Sequence, residues 1–120
     1  MVILPFFLAL IVSILIVAGQ ILWKLALNGL NLNLANFLNL LKSPLFIIGV
    51  LSYFFAFILW IYLLNKYPYH LIYPLLSFSF IFSLLAARFI LHEEVILWNW
   101  IGVFIICLGI IITSIGFKSL

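Results

Sequence analysis

The chain has 120 residues, of which 70% are hydrophobic and only 6% are charged, with a formal net charge of +3. A soluble domain of this size covers its surface with far more charge, so the composition excludes an ordinary soluble protein. The five basic residues are scattered singly among apolar runs, which excludes the basic patch of a nucleic-acid-binding protein.

Four long apolar runs divide the sequence, and each is close to the about 20 residues that a membrane-spanning helix needs. The runs cover Val2–Trp23, Pro44–Asn65, Tyr69–Leu91 and Val95–Phe117. This pattern predicts an all-α membrane protein with four transmembrane helices in a single domain that takes in residues 1–120. The first run lacks basic residues before it and is longer than the apolar core of a signal peptide, so we expect it to be retained.

The connection between the first two runs is long and amphipathic. It opens with Asn28-Gly29, a helix stop signal, and ends at Ser43-Pro44, which starts the second run. The asparagines and the apolar residues between these points separate onto opposite helical faces: Asn33, Asn36, Asn39 and Ser43 on one, and Leu34, Phe37, Leu38 and Leu41 on the other. This separation predicts a short helix that lies in the membrane interface.

Charge in the centre of a bilayer costs about 3 kcal/mol or more, so every surviving charge is a candidate functional residue. Lys66 and Lys118 fall on one predicted side of the membrane, and Lys24, Lys42 and Arg88 fall on the other. This distribution gives almost no preferred orientation by the positive-inside rule. Three explanations are open: the chain inserts both ways and forms an antiparallel dimer, a partner subunit fixes its direction, or the bias is simply weak.

A polar stripe follows the first run, where Ser13, Gln20 and Lys24 are spaced by seven and four residues and share one helical face. The adjacent Ala18-Gly19 allows another helix backbone to approach closely. One interpretation is that the stripe meets an anionic group, with Lys24 as the cation. The other is that Lys24 sits at a helix end and extends to the lipid headgroups.

The third run carries a second polar face, formed by Tyr73, Ser77 and Arg88. Pro74 removes a backbone hydrogen bond there and predicts a kink. An arginine and two hydroxyls on a kinked helix suit a cavity that holds a phosphate. The alternative is an arginine that reaches headgroup phosphates and serines that bond to their own backbone. In the second run, the stripe that ends at Trp60 fits a cavity wall and plain helix packing equally well.

The start of the fourth run combines acids with a glycine repeat. We expect Glu93-Glu94 to open the fourth helix, where the positive end of its dipole stabilises carboxylates, although they are also the only candidate counter-charges for a cationic substrate. Gly102, Gly109 and Gly116 recur every seven residues, which keeps one seam turned toward a partner helix and lets two backbones touch. This repeat predicts a packing or dimerisation helix.

Several of these residues, taken in order, form a familiar pattern: Ala18-Gly19-Gln20 with Lys24, Tyr73-Pro74-Leu75, His92-Glu93, Trp100, Gly102 and Gly109. The pattern resembles the small multidrug resistance superfamily, and more closely its lipid-flippase branch, the subunits that flip aminoarabinose-phosphoundecaprenol. The drug-exporting branch has a glutamate near the position of Ile16, which this chain lacks.

The resemblance implies a non-enzymatic flippase, without cofactor or metal, in the bacterial inner membrane. Its expected substrate is an undecaprenyl-phosphate-linked sugar used to modify lipid A and lipopolysaccharide, and its other partners are membrane lipids and a second subunit, identical or related, in a dimer. We expect the substrate to be bound by Gln20, Lys24, Trp60, Tyr73, Ser77 and Arg88. We expect Gly102, Gly109 and Gly116 to form the dimer contact.

Two other functions remain open at this point. A small-cation or drug exporter of the same architecture requires a buried acid, and the apolar runs contain none in their middle. A non-transporting membrane subunit predicts that the polar stripes face protein rather than a cavity. An enzyme is the least favoured class, because the sequence has no nucleophile–base pair or metal cluster.

Overall fold

The computed structural model describes residues 3–115, and every regular element in that range is helical. The elements are α1 (Ile3–Ala26), α2 (Leu34–Leu40), α3 (Pro44–Lys66), α4 (Tyr69–Ile72), a 3₁₀ segment (Tyr73–Ser77), α5 (Phe78–Phe89) and α6 (Leu97–Ser114). Helix α1, helix α3, the segment from α4 through α5, and helix α6 are each long and apolar enough to cross a membrane. The prediction of four helices able to span a membrane is confirmed.

Helices α1 and α3 form the most intimate contact, and two glycines make it possible. A Cβ added at Gly19 would lie 2.9 Å from the carbonyl oxygen of Gly49, and one added at Gly49 would lie 3.0 Å from the carbonyl oxygen of Gly19. The Ser52 hydroxyl donates to the carbonyl oxygen of Leu15 at 2.5 Å. Close backbone approach at Gly19, which the sequence predicts, is therefore confirmed, and its partner is α3.

The aromatic ring of Trp23 forms a second contact between α1 and α3. Its Nε1–H donates to the carbonyl oxygen of Phe46 at 3.1 Å. The ring also stacks on Tyr53, with 4.6 Å between ring centroids and 6° between planes. As the residue number of the contact increases along α1, the number of its partner residue in α3 decreases. The two helices are therefore antiparallel.

The region around Pro74 departs from regular α-helix, as the sequence predicts. The chain forms one α-helical turn in α4, passes through the 3₁₀ segment that contains Pro74, and resumes as α5. Ile72 and Leu75 are fully buried here. They belong to a small core with Val12 of α1 and Leu63 of α3. The core therefore lies toward the N-terminal half of α1 and leaves the other end of the bundle less filled.

Helix α6 is peripheral. Ile110 is its one buried residue among positions 97–114, whereas Trp98 is 74% exposed and Ile112 is 67% exposed. Large apolar side chains at such exposure are stable only against lipid or another protein surface.

The start of α6 corrects one prediction. Glu93 and Glu94 do not open the fourth helix, because α6 begins at Leu97 and has no acid in its first turn. After α5 the chain turns at His92, whose φ is 56°. The helix start is instead capped by Asn99, whose Oδ1 accepts the backbone N–H of Ile96 at 3.1 Å. The dipole argument fails because the acids lie in the extended segment before the helix.

The connection between α1 and α3 contains the expected short helix, α2. The N–H of Asn36 donates to the side-chain oxygen of Asn33 at 2.8 Å, which satisfies a free backbone donor at the helix start. Leu40 is the buried residue of α2, and Leu34 is 75% exposed. Its placement in the membrane interface stays a prediction.

Candidate functional site

A groove of about 570 Å³ opens between α1, α5 and α6. Its polar lining residues are Gln20, Lys24, Ser83, Glu93 and Asn99, and its apolar lining residues include Ile21, Phe80, Leu84, Trp98, Val103 and Ile106. We call it the charged groove. It lies at the end of the bundle where α1 finishes and where the chain leaves α5, away from the buried core.

Helix α1 supplies the cation and an amide. Gln20 and Lys24 are four residues apart and line the same wall of the charged groove. Gln20 also shares a side-chain hydrogen bond with Tyr53 of α3. Within residues 3–115, Lys24 has no ion-pair partner. The position of the wall depends on the α1–α3 contact at Gly19, one residue before Gln20.

Glu93 lines the charged groove but is not among the substrate-binding residues expected from the sequence, which assigns it to the dipole of the fourth helix. Its backbone N–H donates to the carbonyl oxygen of Ala87 at 2.8 Å, which folds the segment after α5 back onto the end of that helix. Glu93 and Lys24 together also line a second groove of about 500 Å³. A signal was present in the sequence, since Glu93 and Glu94 are its only two acidic residues.

Trp60 and Tyr73 come together at a different place. Their ring centroids lie 6.3 Å apart in an edge-to-face arrangement, and Tyr69 lies 5.3 Å from Tyr73. Trp60 also lines an apolar cavity of about 170 Å³ with Ile16 and other residues. Fourteen residues of α3 separate Trp60 from Phe46, which is about 21 Å along the helix axis. The aromatic pair is therefore distant from the charged groove.

The remaining polar residues of the predicted site do not join either group. Ser77 is half-buried at the end of the 3₁₀ segment. Arg88 is exposed, with its guanidinium carbon 5.8 Å from the ring centroid of Phe89, and it is not part of the charged-groove lining. Ser13 is fully buried, and its hydroxyl has no hydrogen-bond partner within the described residues. The contact of these residues with a substrate stays a prediction.

The glycines of α6 are open rather than packed. Within residues 3–115, a Cβ added at Gly102 or Gly109 would meet no atom within 4 Å. Gly102 stands at the edge of the charged groove. Gly116, the third member of the predicted seam, lies outside the described residues, as does Lys118. The dimer contact stays a prediction.

Comparison with known proteins supplies a context for this geometry. A family model for EamA-like transporters matches residues 1–115. The probable 4-amino-4-deoxy-L-arabinose-phosphoundecaprenol flippase subunit of Aeromonas hydrophila is 35% identical over 102 residues, which cover 85% of this chain and 90% of that protein. The protein of the same name from Yersinia pestis is 37% identical over 109 residues, 91% of this chain and 95% of that protein. No solved structure matches the chain.

Proposed function

The chain belongs to the EamA-like transporter family, and we propose that it is a flippase subunit for an undecaprenyl-phosphate-linked aminosugar. In this proposal the protein moves the lipid across the bacterial inner membrane, and the sugar then modifies lipid A in lipopolysaccharide. We assign it to the lipid-flippase branch of the small multidrug resistance superfamily, which its motifs resemble. The observation that carries the proposal is Lys24, an unpaired cation within residues 3–115, in an open groove of a chain similar over most of its length to flippase subunits.

The chemistry of such a lipid fits a groove that is lined by both polar and apolar side chains. The headgroup has a negatively charged phosphodiester and a polar sugar, and the tail is a long hydrocarbon. The Lys24 ammonium binds the phosphodiester through charge-assisted hydrogen bonds, and the Gln20 amide contacts the sugar. The apolar lining residues, which include Trp98 and Ile106, let the tail remain in the bilayer.

The aromatic pair of Trp60 and Tyr73 serves as a second contact for the sugar in this proposal. It lies farther along the bundle from Lys24, on the path that a headgroup takes across the membrane. Ser77, at the end of the 3₁₀ segment that begins at Tyr73, offers a hydroxyl to the headgroup. Arg88 acts at the mouth of the path, where it attracts the phosphate before Lys24 receives it. The 3₁₀ segment is the place where the third span rocks between inward and outward openings.

We place a dimer contact on α6, along Gly102 and Gly109. Their open surface lets a second helix approach closely, and a neighbouring subunit there covers the side of the charged groove that this chain leaves open. The second subunit is an identical copy or a related chain. The weak charge bias across the membrane is compatible with either arrangement.

Lipid A composition tests the proposal directly. Bacteria that lack their own aminoarabinose flippase subunits receive the wild-type chain, with and without a related partner subunit, and their lipid A is analysed by mass spectrometry. We expect the wild-type chain to restore the amino-sugar substituent. Lys24→Ala should reduce restoration at least about tenfold, because a charge-assisted contact to phosphate contributes about 1.5 to 3 kcal/mol.

Lys42→Ala is the matched control, since Lys42 is an exposed lysine in the connection before α3 and should restore the substituent fully. Failure of the wild-type chain under both conditions would overturn the flippase proposal. Intact modification in both Lys24→Ala and Arg88→Ala would overturn the phosphate role while leaving the flippase function in place.

A second candidate function, export of a small cation, is favoured by one observation: Glu93 lines the charged groove. A carboxylate there offers a counter-charge that the middle of the apolar runs does not. The positive charge of Lys24 in the same groove repels a small cation, which disfavours this function. Growth of the expressing cells in quaternary ammonium compounds distinguishes the two functions, because an exporter raises the tolerated concentration and a flippase does not.

A further inference from the structure

Two opposite charges face the charged groove without pairing in the described structure. Lys24 extends from the last turn of α1, and Glu93 lies in the segment between α5 and α6. Both side chains line the charged groove, and both line the adjoining second groove. Within residues 3–115 neither charge takes part in an ion pair. The site therefore offers one cationic and one anionic group to whatever enters it.

The carboxylate of Glu93 has no evident structural task in this region. The first turn of α6 is capped by Asn99, so the helix does not use an acid at its start. The position of Glu93 is set through its backbone, by the hydrogen bond to Ala87. The neighbouring Glu94 is also exposed but is not part of the lining of either groove. Of the two acids, only Glu93 is in place to meet a ligand held by Lys24.

We propose that Glu93 binds the ammonium group of a zwitterionic lipid headgroup while Lys24 binds its phosphodiester, so that Glu93 selects amino sugars over neutral sugars. This inference rests on the proposed flippase function and adds the residue that determines specificity. A headgroup with both charges pairs with both side chains and leaves the occupied groove electrically neutral. Each contact is a charge-assisted hydrogen bond, which is stronger than one between neutral groups.

Selection also acts against the wrong lipid. A neutral sugar on the same phosphate pairs with Lys24 but leaves the Glu93 carboxylate without a cation and near a second negative charge. Such an unpaired charge costs free energy that the amino sugar avoids. The groove therefore selects the amino-sugar lipid in two ways: it binds the ammonium group, and it leaves a carboxylate unpaired when a neutral sugar is bound.

Direct binding measurements test this role. The full-length chain in lipid nanodiscs is titrated with three probes: undecaprenyl-phosphate aminoarabinose, the same lipid N-acetylated on its amine, and undecaprenyl phosphate without sugar. The N-acetylated lipid keeps the sugar and the phosphate and removes the positive charge. The variants are Glu93→Gln, which keeps the shape and removes the charge, and Glu94→Gln as the matched control.

We expect the wild-type chain to bind the amine lipid at least about tenfold more tightly than the N-acetylated lipid, a difference equal to about 1.4 kcal/mol. Glu93→Gln should remove this preference by weakening binding of the amine lipid alone. Glu94→Gln should keep it. Retained binding of the N-acetylated lipid shows that the Glu93→Gln protein is folded, because that probe needs the groove but not the carboxylate.

The possible failures separate the two proposals. If the wild-type chain binds the amine and N-acetylated lipids equally, or if Glu93→Gln weakens both alike, the specificity role of Glu93 is wrong and the flippase function stands. If Glu94→Gln abolishes the preference as Glu93→Gln does, the assignment to Glu93 is also wrong. If the wild-type chain binds neither sugar lipid more tightly than undecaprenyl phosphate, the proposed function itself is overturned.

Discussion

Glycines have opposite structural roles in two parts of this bundle. In the α1–α3 pair, Gly19 and Gly49 face each other at a distance that leaves no space for a side chain. In α6, Gly102 and Gly109 have open space where a side chain would be. The first pair is needed for the fold of this chain, because it brings α3 against the helix that carries Lys24. The second pair makes no contact of this kind with the described part of the chain, which leaves it open to an external partner.

The difference shows how the molecule divides rigid and open surfaces. The α1–α3 pair combines a glycine contact, a ring stack and hydrogen bonds that cross between the helices, among them those donated by Trp23 and Ser52. Helix α6 contributes one buried residue, Ile110, to the core. The cation of the charged groove is therefore held by the well-packed part, and one wall of the groove belongs to the loosely packed part. That arrangement suits a site whose opening changes while its anion-binding group keeps its position.

The largest expected difference in stability between the two glycine pairs comes from replacing one glycine of each pair with alanine. In Gly49→Ala the new Cβ would lie 2.5 Å from Nε1 of Trp23, so either the Trp23 ring moves and strains its hydrogen bond to Phe46 or the helices separate. We expect a loss of about 1 to 3 kcal/mol in unfolding free energy, as for other overpacked contacts. In Gly109→Ala nothing is displaced, and the better helix propensity of alanine should leave stability unchanged or raise it by about 0.5 to 1 kcal/mol.

Thermal unfolding of both variants in detergent, followed by circular dichroism, measures this difference. The interpretation of the α1–α3 contact is wrong if Gly49→Ala and Gly109→Ala unfold at the same temperature.

The open surface of α6 is tested by a larger residue. Gly109→Leu adds bulk where this chain has space, so the unfolding temperature of the monomer should stay close to that of the wild-type monomer. If α6 forms the dimer contact, the added side chain keeps two backbones apart and should weaken association at least about tenfold, or about 1.4 kcal/mol. Light scattering during size-exclusion chromatography measures the oligomer, and Ile112→Leu, which adds no bulk on the same helix, is the control. A dimer that persists in Gly109→Leu would remove this residue from the contact.

The smallest expected difference in stability is between alanine substitutions of two serines. Ser52 donates across the α1–α3 contact, so Ser52→Ala should cost about 0.6 kcal/mol, the usual size for such a bond between membrane helices. Ser13 is fully buried with no hydrogen-bond partner within residues 3–115, so Ser13→Ala should be neutral or stabilising. Denaturant unfolding of both variants checks the sign. Equal destabilisation by both would show that Ser13 makes a bond in the membrane.

Local signals predicted much of the architecture, because each acts within a few residues. Gly29 has a φ of 77° just after the first helix, and Ser43-Pro44 starts the third. Pro74 is in an interrupted segment, as expected from its missing N–H. The failure at Glu93 is also local in origin. The helix start is decided by the side chain of Asn99, and the dipole rule assigns acids to a helix without knowing where that helix begins.

The sequence by itself determined that this chain spans a membrane in four helices, because apolar length and turn residues act without reference to the rest of the fold. It also contains only seven charged residues, so each of them is a candidate functional residue. Only the tertiary structure decided which candidates meet. It brings Lys24 and Glu93 to one groove and leaves Arg88 outside the lining of that groove, since helix packing sets the distance between residues remote in sequence.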